Sequence, residues 1–196
     1  LELTLNNGYD KRTGMQIGLQ TGYSVDYKSF DDLIVAFRAQ VRYFADIKIR
    51  GNNVIEKIFS KFLPVPFLSL LVEDCIMNGK DYNGGGARYN TTYIQGVGVG
   101  SITDILPSVR YNIYEEKKFT WPELTKAIEA DFRGYEQLRY DLIYKTPKYG
   151  NDDDYADQQA VTVFEIYYDA VNGRPSSRGG VHRINMLPTT SHVYFG

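Results

Sequence analysis

The chain has 196 residues, of which 43% are hydrophobic and 23% are charged, and its formal net charge is −2. This length and composition predict one globular domain with a sizeable core and exclude an intrinsically disordered chain. The near-neutral charge, with scattered Lys and Arg, excludes the electrostatic footprint of a nucleic-acid or anionic-membrane binder, and no apolar run approaches the roughly 20 residues of a membrane helix. The single cysteine, Cys75, cannot form a disulfide within the chain, which favours a reducing, cytoplasmic location.

Apolar residues at helical spacing predict three helices in the first part of the chain. The first begins at Ser29, with two Asp residues in its first turn, and is expected to end at Gly51. The second covers residues 53–62 and is stopped by two prolines. The third covers residues 67–78 and is apolar almost all round, so it is predicted to be deeply buried, with Gly79 as its stop.

Three further helices are predicted in the middle of the chain. Residues 102–114 favour a helix bent near Pro107. The sequence Thr120-Trp121-Pro122-Glu123 is a capping box with an early proline, and the helix that it opens is expected to end near Gly134. Residues 135–144 follow as another helical piece.

The last long helix and two strands complete the predicted elements. Asp152-Asp153-Asp154 stands at the start of the helix, which is expected to end at residues 172–173. Residues 181–187 and 192–195 are predicted strands. The residues of the last helix predicted to point inward are Val161, Phe164, Tyr168 and Val171. Leu1 begins a segment typical of the middle of an element, and helix dominates throughout.

Glycine is concentrated in one segment, with six glycines among residues 84–100. Each is costly, because glycine loses more backbone freedom on folding than any other residue. A chain retains such a run where its backbone turns with positive φ or passes very close to a ligand, a cofactor or another strand. The run therefore marks a part of the fold from which ordinary side chains are excluded.

Several patterns have a functional and a structural interpretation. The glycines of 96–100 do not have the spacing of a dinucleotide-binding loop, and no strand–loop–helix unit surrounds them. Residues 152–154 with Asp157 could bind a metal ion, but acidic residues at a helix N-terminus are the favoured interpretation. Cys75 could be a nucleophile, yet both histidines lie far along the chain, and a packing role is favoured.

The remaining candidates are polar residues near the glycine run and the C-terminus. His182 and His192 lie in the two predicted strands and give a weak zinc signal. Arg88 could bind a substrate carboxylate or a structural one, and the structural pairing is favoured. Thr189 and Thr190 follow a proline, where hydroxyl groups either donate to a bound carboxylate or satisfy the local backbone.

Three segments together resemble one enzyme family. Residues 81–90 (DYNGGGARYN) with 93–98 (YIQGVG), residues 146–157 (TPKYGNDDDYAD) and residues 186–196 (MLPTTSHVYFG) are similar to motifs of the glycyl radical enzymes, the pyruvate formate-lyase superfamily. Residues 1–10 also resemble the branch of that family that dehydrates trans-4-hydroxy-L-proline. The likeness spans essentially the whole chain.

The resemblance implies a fold class and a place in a larger protein. The family fold is an α/β barrel of ten strands wrapped by helices, and residues 1–196 are expected to form a helix-rich internal segment of a single pyruvate formate-lyase-type domain. The glycine run would then pass through the crowded interior of the barrel. The family's Cys-x-Glu loop and radical glycine are expected before Leu1 and after Gly196, so Cys75 is not a radical site and this segment alone is expected to be inactive.

The resemblance also implies a function. The intact protein would be a radical dehydratase, a lyase that acts on a small hydroxylated substrate such as trans-4-hydroxy-L-proline, and Thr189 would contact the substrate carboxylate. No metal or bound cofactor is implied, but a glycyl radical would be installed by a radical SAM activating enzyme, and the parent would be a cytoplasmic homodimer. The alternatives are a carbon–carbon lyase of the same superfamily, similar to formate acetyltransferase, and a non-enzymatic helical binding module.

Overall fold

The computed structural model describes residues 1–187, which divide into two compact units. The first unit contains residues 1–41 and 97–166, and the second contains residues 42–96 and 167–187. The helices are α1 (Glu2–Leu5), α2 (Phe30–Phe62), α3 (Pro66–Leu71), α4 (Val99–Val109), α5 (Trp121–Glu129), α6 (Glu136–Tyr144) and α7 (Asp154–Val171). The strands are β1 (Tyr9–Asp10), β2 (Met15–Gln16), β3 (Thr92–Gln95) and β4 (His182–Asn185).

Helix α2 starts where the sequence predicts but does not end there. The Asp32 backbone N–H donates to Ser29 Oγ at 3.1 Å, and the Ser29 N–H donates to Asp32 Oδ2 at 2.9 Å. The helix then continues through Gly51 to Phe62, so the predicted break at Gly51 is wrong. One interior glycine costs a helix only about 1 kcal/mol, which the hydrogen bonds of its flanking turns offset.

Helix α3 corrects a second prediction. It has six residues instead of the predicted twelve, and Phe67 and Leu71 are 77% and 72% exposed, so it is not a buried helix within this chain. The chain leaves the helical conformation at Val72, whose backbone is extended with φ −98° and ψ 130°. It then turns with positive φ at Asp74 and at Gly79. An extended residue cannot continue a right-handed helix, and this explains the early end.

The core of the first unit lies between the start of α2 and helices α4, α5 and α7. Leu33, Leu106 and Ile166 are almost completely buried there. Each such side chain contributes about 1.5–3 kcal/mol relative to an exposed one. The capping box at Thr120 is confirmed, since the Thr120 N–H donates to Glu123 Oε2 at 2.7 Å. The helix ends at Glu129 and not near Gly134 as predicted.

Helix α4 differs from its prediction in its second half. It begins at Val99, passes through Pro107 and becomes a π-helix over Arg110–Glu115. Proline has no N–H to donate to the carbonyl of Thr103, so one α-helical hydrogen bond is missing at Pro107. The wider π-helical turn begins within one turn of this missing bond. Asn112 fixes this turn, because it is fully buried and its Nδ2 donates to Thr146 Oγ1 at 2.9 Å.

Helix α7 has the predicted ends but a different buried face. It begins at Asp154, and Gly173 follows its end with φ 77°. Of the residues predicted to point inward, Val171 is buried, whereas Val161, Phe164 and Tyr168 are exposed by more than 40%. The face that is buried contains Ala156, Gln159, Val163, Ile166 and Ala170. Small alanines let the helix approach its neighbours closely, and a search for large apolar residues overlooks them.

The sheets are small. Strands β1 and β2 form an antiparallel hairpin, and β3 and β4 pair in parallel from Thr92↔His182 to Gln95↔Asn185. The predicted strand 181–187 is therefore shorter, and the predicted strand 192–195 lies outside the described residues. Within residues 1–187, no helix has the length and apolarity that crossing a bilayer requires.

Candidate functional site

Close approach of main chains requires two of the six glycines of the run, whereas Gly98 and Gly100 have no atom within 4 Å of an added Cβ. A Cβ atom on Gly85 would lie 2.4 Å from the carbonyl oxygen of Arg178, and one on Gly86 would lie 2.0 Å from that of Lys80. Gly85 also has φ 84°, a conformation that glycine adopts without strain. Gly84, by contrast, has no atom nearer than 3.5 Å to such a Cβ. Crowding of backbone against backbone therefore explains two adjacent glycines of the run.

A half-buried carboxylate joins α2 to the loop before β4. Glu56 accepts hydrogen bonds from Thr92 Oγ1 and from Ser177 Oγ, the latter at 2.7 Å, and Arg178 Nε lies 3.5 Å from its Oε1. Burial alone would raise the pKa of the Glu56 carboxyl, but these hydrogen bonds and the Arg178 charge together hold it below its ordinary value. Glu56 is therefore ionised at neutral pH and fastens strand β3 and the 177–178 loop to one helix.

A buried histidine lies beside this carboxylate. His182 Nε2 is 3.2 Å from Asn53 Oδ1, and the Ser177 N–H donates to the same oxygen at 3.1 Å. Asn53 Oδ1 can only accept, so Nε2 carries the proton in this arrangement. Burial lowers the pKa of His182, which keeps the ring neutral. The histidine is thus a packed, hydrogen-bonded residue of β4, and its predicted zinc partner His192 lies outside the described residues.

The carboxyl ends of β3 and β4 form the candidate site. The Gly96 N–H donates to the Asn185 carbonyl at 2.7 Å, and Gln95 Nε2 donates to the Leu187 carbonyl. A Cβ on Gly96 would lie 2.8 Å from both Met186 Sδ and a Tyr167 ring carbon. In open sheets of parallel strands, ligands bind beyond the carboxyl ends of the strands. Thr189, the predicted substrate-binding residue, follows β4 in the sequence.

Of three polar residues that the sequence predicts as site candidates, two lie outside the described residues and one forms ion pairs within the chain. Thr189 and Thr190 lie outside the described residues. Arg88 is paired structurally, as favoured: its Nε and Nη2 donate to the Asp74 carboxylate at 2.9 and 3.0 Å, and Nη1 lies 2.9 Å from Glu73. Its guanidinium is therefore occupied by two acids of its own chain.

The acidic run and the cysteine also have local explanations. The Tyr155 N–H donates to Asp153 Oδ1 at 3.0 Å and the Gly150 N–H donates to Asp157 Oδ1 at 2.9 Å, as expected at a helix N-terminus. Cys75 is 2% exposed, which fits the packing role. Across the part of the chain that the structure describes, no three His, Cys, Asp or Glu side chains are grouped to hold a metal ion.

The sequence did not predict the residues that hold the carboxyl ends of β3 and β4 in place. Glu56 and Asn53 stand in a polar stretch of α2 that is typical of a solvated helix face, and Gln95 is one amide in a glycine-rich segment. No spacing rule connects them with residues 177–187, because their partners are more than 90 positions away. The glycines at 85, 86 and 96 were the available signal of close approach.

Comparison with known proteins agrees with the motifs. The family model described as pyruvate formate lyase-like matches residues 1–196. The chain is 54% identical over its full length to trans-4-hydroxy-L-proline dehydratase of Clostridioides difficile, of which it covers 25%. It is 34% identical over its full length to (2S)-3-sulfopropanediol dehydratase of Klebsiella oxytoca, of which it covers 24%.

Solved structures give the same result. The crystal structure of hydroxyproline dehydratase from Clostridioides difficile with trans-4-hydroxy-L-proline bound matches the whole chain with a TM-score of 0.96 and 54% identity, over 25% of that protein. The B12-independent glycerol dehydratase from Clostridium butyricum matches the whole chain with a TM-score of 0.92 and 38% identity, over 24% of its length. The chain thus spans about a quarter of the relatives that it matches. From the motifs, the family model and these structures together, the chain belongs to the pyruvate formate lyase-like family of glycyl radical enzymes.

Proposed function

We propose that the complete polypeptide carrying this segment is a glycyl radical dehydratase that removes water from trans-4-hydroxy-L-proline. The observation that carries the proposal is the 54% identity, over every residue of the chain, to an enzyme named for that reaction. Identity to the sulfopropanediol dehydratase is 34%, and identity to the glycerol dehydratase is 38%. Other relatives are named as lyases, such as isethionate sulfite-lyase, which keeps carbon–carbon or carbon–sulfur cleavage as the competing outcome.

The segment supplies scaffold and one substrate contact in this proposal. Strands β3 and β4 are two neighbouring strands of the ten-stranded barrel, and residues 1–196 are part of a single pyruvate formate-lyase-type domain. Their parallel pairing and the close main-chain approach at Gly85 and Gly86 support this assignment. Thr189, just beyond β4, contacts the substrate carboxylate. That contact orients the ring and excludes substrates that lack the carboxylate.

The reactive groups belong to the rest of the polypeptide. Cys75 is buried inside the second unit and does not fit the role of the thiyl residue, which must reach substrate. The glycyl radical, which a radical SAM activating enzyme would install, would supply the chemistry that removes a hydrogen atom from the carbon next to the ring nitrogen and returns one after dehydration. Between these two events, hydroxide would leave as water with a proton from an acid. The assembly is a cytoplasmic homodimer that takes a small-molecule substrate.

The test uses the complete polypeptide with its activating enzyme under anaerobic conditions. Trans-4-hydroxy-L-proline, glycerol, isethionate, and pyruvate with coenzyme A are offered as substrates. We expect kcat/KM for hydroxyproline to exceed that for each of the others by about 100-fold or more. Preferred turnover of a diol, of isethionate or of pyruvate would refute the substrate assignment. Absence of any turnover, with hydroxyproline bound but unchanged, would instead favour the binding-module alternative.

A further inference from the structure

A cavity in the first unit has a lysine in its wall. The cavity has a volume of about 760 Å³ and is lined by residues of α1, α4, α5 and α6. Its wall is mostly apolar and includes Leu124, Ile128 and Phe132. Lys148, which is half-buried, also lines it. A cavity of this size, with apolar walls and a few polar groups, is typical of a site for a small molecule.

The hydrogen bonds of Lys148 fit an uncharged amine. Its Nζ donates to Ser108 Oγ at 2.7 Å and to the Leu142 carbonyl at 2.6 Å. The Ser108 hydroxyl donates its own proton to the Asp104 carbonyl at 2.8 Å, so the hydroxyl oxygen accepts from the lysine. An uncharged amine has two N–H donors and one lone pair, whereas the ammonium group has three donors. Both donors of the uncharged form are used, and neither bond uses its lone pair.

The surroundings of Lys148 favour this uncharged form. Burial lowers the pKa of the Lys148 ammonium group, and this effect is larger than the opposite effect of the Asp104 carboxylate. Asp104 Oδ1 accepts from the Tyr149 N–H at 2.8 Å, while Lys11 and Glu129 on the cavity wall are paired with each other at 2.8 Å. At a given pH, Lys148 is therefore uncharged more often than an exposed lysine, and the uncharged amine is the nucleophile.

We propose that Lys148 is a site of N-acylation by short-chain acyl phosphates that enter this cavity, a property separate from the dehydratase activity. The Nζ lone pair attacks the acyl carbonyl carbon and forms a C–N bond. The C–O bond to phosphate breaks, and phosphate leaves with the electron pair and takes one proton from the amine. The reaction needs no oxidant, reductant or further reactant.

The lysine bridges two helices, and the apolar wall selects the acyl chain. Ser108 belongs to α4, and Leu142 lies in the last turn of α6. The product amide keeps one N–H, so it can donate to Ser108 Oγ or to the Leu142 carbonyl but not to both. The acyl chain packs against the apolar wall at Leu124 and Ile128. Each methylene group that leaves water for such a wall favours the bound state about fourfold.

The test treats the complete, radical-free polypeptide with acetyl phosphate or butyryl phosphate and follows each lysine by peptide mass spectrometry. The rate at each lysine is divided by its rate in the same polypeptide unfolded in guanidinium chloride, which removes the intrinsic reactivity of the donor. At about pH 8, we expect Lys148 to react with acetyl phosphate at least about threefold faster in the folded protein. The folded-to-unfolded ratio for butyryl phosphate should be about 15-fold larger again, since butyryl has two more methylene groups.

Lys145 is the matched control within the same protein. It is exposed, and its Nζ lies 5.8 Å from the centroid of the Tyr140 ring. Its folded-to-unfolded ratio should be the same for the two donors. The variant Ile128→Ala removes part of the apolar wall at a residue that is 53% exposed, so the fold should tolerate it. It should lower the preference of Lys148 for butyryl phosphate and leave its acetylation rate unchanged.

Two results would overturn the proposal. The first is a Lys148 that reacts more slowly in the folded protein than in the unfolded protein with either donor, because the amine would then be protected and not activated. The second is an equal preference for butyryl phosphate at Lys148 and Lys145, because the cavity would then have no part in the reaction. Neither readout requires turnover of hydroxyproline, so the acylation site and the proposed function can fail separately.

Discussion

Replacement of Gly86 by alanine tests the claim that crowded main chains require glycine at this position. The carbonyl of Lys80 is so close that an added Cβ would lie 2.0 Å from its oxygen and 2.7 Å from its carbon. Gly86 also donates through its N–H to the Asp81 carbonyl at 3.0 Å and accepts from Asn78 Nδ2 at 2.9 Å. Its φ is not positive, so the cost of the substitution comes from space and not from backbone conformation.

The magnitude follows from the displacement. Real Cβ atoms essentially never approach a heavy atom closer than 3.0 Å, so the main chain at Gly86 or Lys80 must move by about 1 Å. Overpacking of this kind costs about 1–3 kcal/mol. Strain on the hydrogen bonds of the same turn adds about 1 kcal/mol. We therefore expect Gly86→Ala to lower the free energy of opening this loop by about 2–4 kcal/mol.

Thiol labelling of Cys75 measures that opening. The Lys80 N–H donates to the Cys75 carbonyl at 3.1 Å and the Arg88 N–H donates to the Glu73 carbonyl at 3.2 Å, so both ends of the loop hold the turn that buries the thiol. Labelling of Cys75 in the complete polypeptide, resolved by peptide mass spectrometry, should accelerate about 30- to 700-fold in Gly86→Ala, since each 1.4 kcal/mol is tenfold.

Gly84→Ala is the control. Its nearest neighbour would be Ser60 Oγ at 3.5 Å, an ordinary contact, and labelling of Cys75 should stay within about twofold of wild type. Equal labelling rates in the two variants would refute the reasoning, because the measured crowding at Gly86 would then have no energetic consequence.

Three further predictions concern α2, the Glu56 carboxylate and Thr189. Gly51→Ala should raise the free energy of unfolding by about 0.5–1 kcal/mol in a urea titration, because Gly51 is helical with no atom within 4 Å of a new Cβ, and a lower value would contradict this. The pKa of Glu56 is lower in the folded protein than in the unfolded chain, so ionised Glu56 stabilises the fold fully at neutral pH. This stabilisation is lost as the pH falls from the ordinary pKa of a glutamate to the lower pKa of folded Glu56. The protection of β3 and β4 against hydrogen exchange, relative to the intrinsic exchange rate at each pH, should therefore fall in that acidic window. Glu56→Gln should remove this fall in protection, and an equal fall in both proteins would exclude Glu56 as its source. Thr189→Ala should raise KM for hydroxyproline about tenfold with little change in kcat, and an unchanged KM would remove Thr189 from the site.

Local signals predicted the starts of two helices and the end of α7. Ser29 and Thr120 start helices because their hydroxyls and the acids three residues later satisfy free N–H groups, and that chemistry is complete within four residues. Gly173 ends α7 for a similarly local reason. The sequence motifs identified the family because they are contiguous.

What could not be predicted depends on partners distant in sequence. Gly51 is a residue type that often ends a helix, and the local sequence does not show that α2 continues on both sides of it. The face that α7 buries was mistaken because alanines such as Ala156 and Ala170 carry no strong apolar signal. Glu56 and Gln95 bind residues more than 90 positions away, and no periodicity in one sequence connects them.

The parallel pair has a consequence for biosynthesis. Thr92 pairs with His182, and at a translation rate of roughly 5–20 residues per second the second strand leaves the ribosome about 5–20 s after the first. Throughout that interval the nascent chain presents a bare edge with aromatic and β-branched residues, which is a template for association with other chains. Ribosome-bound chaperones are therefore expected to engage this segment until residue 185 has emerged.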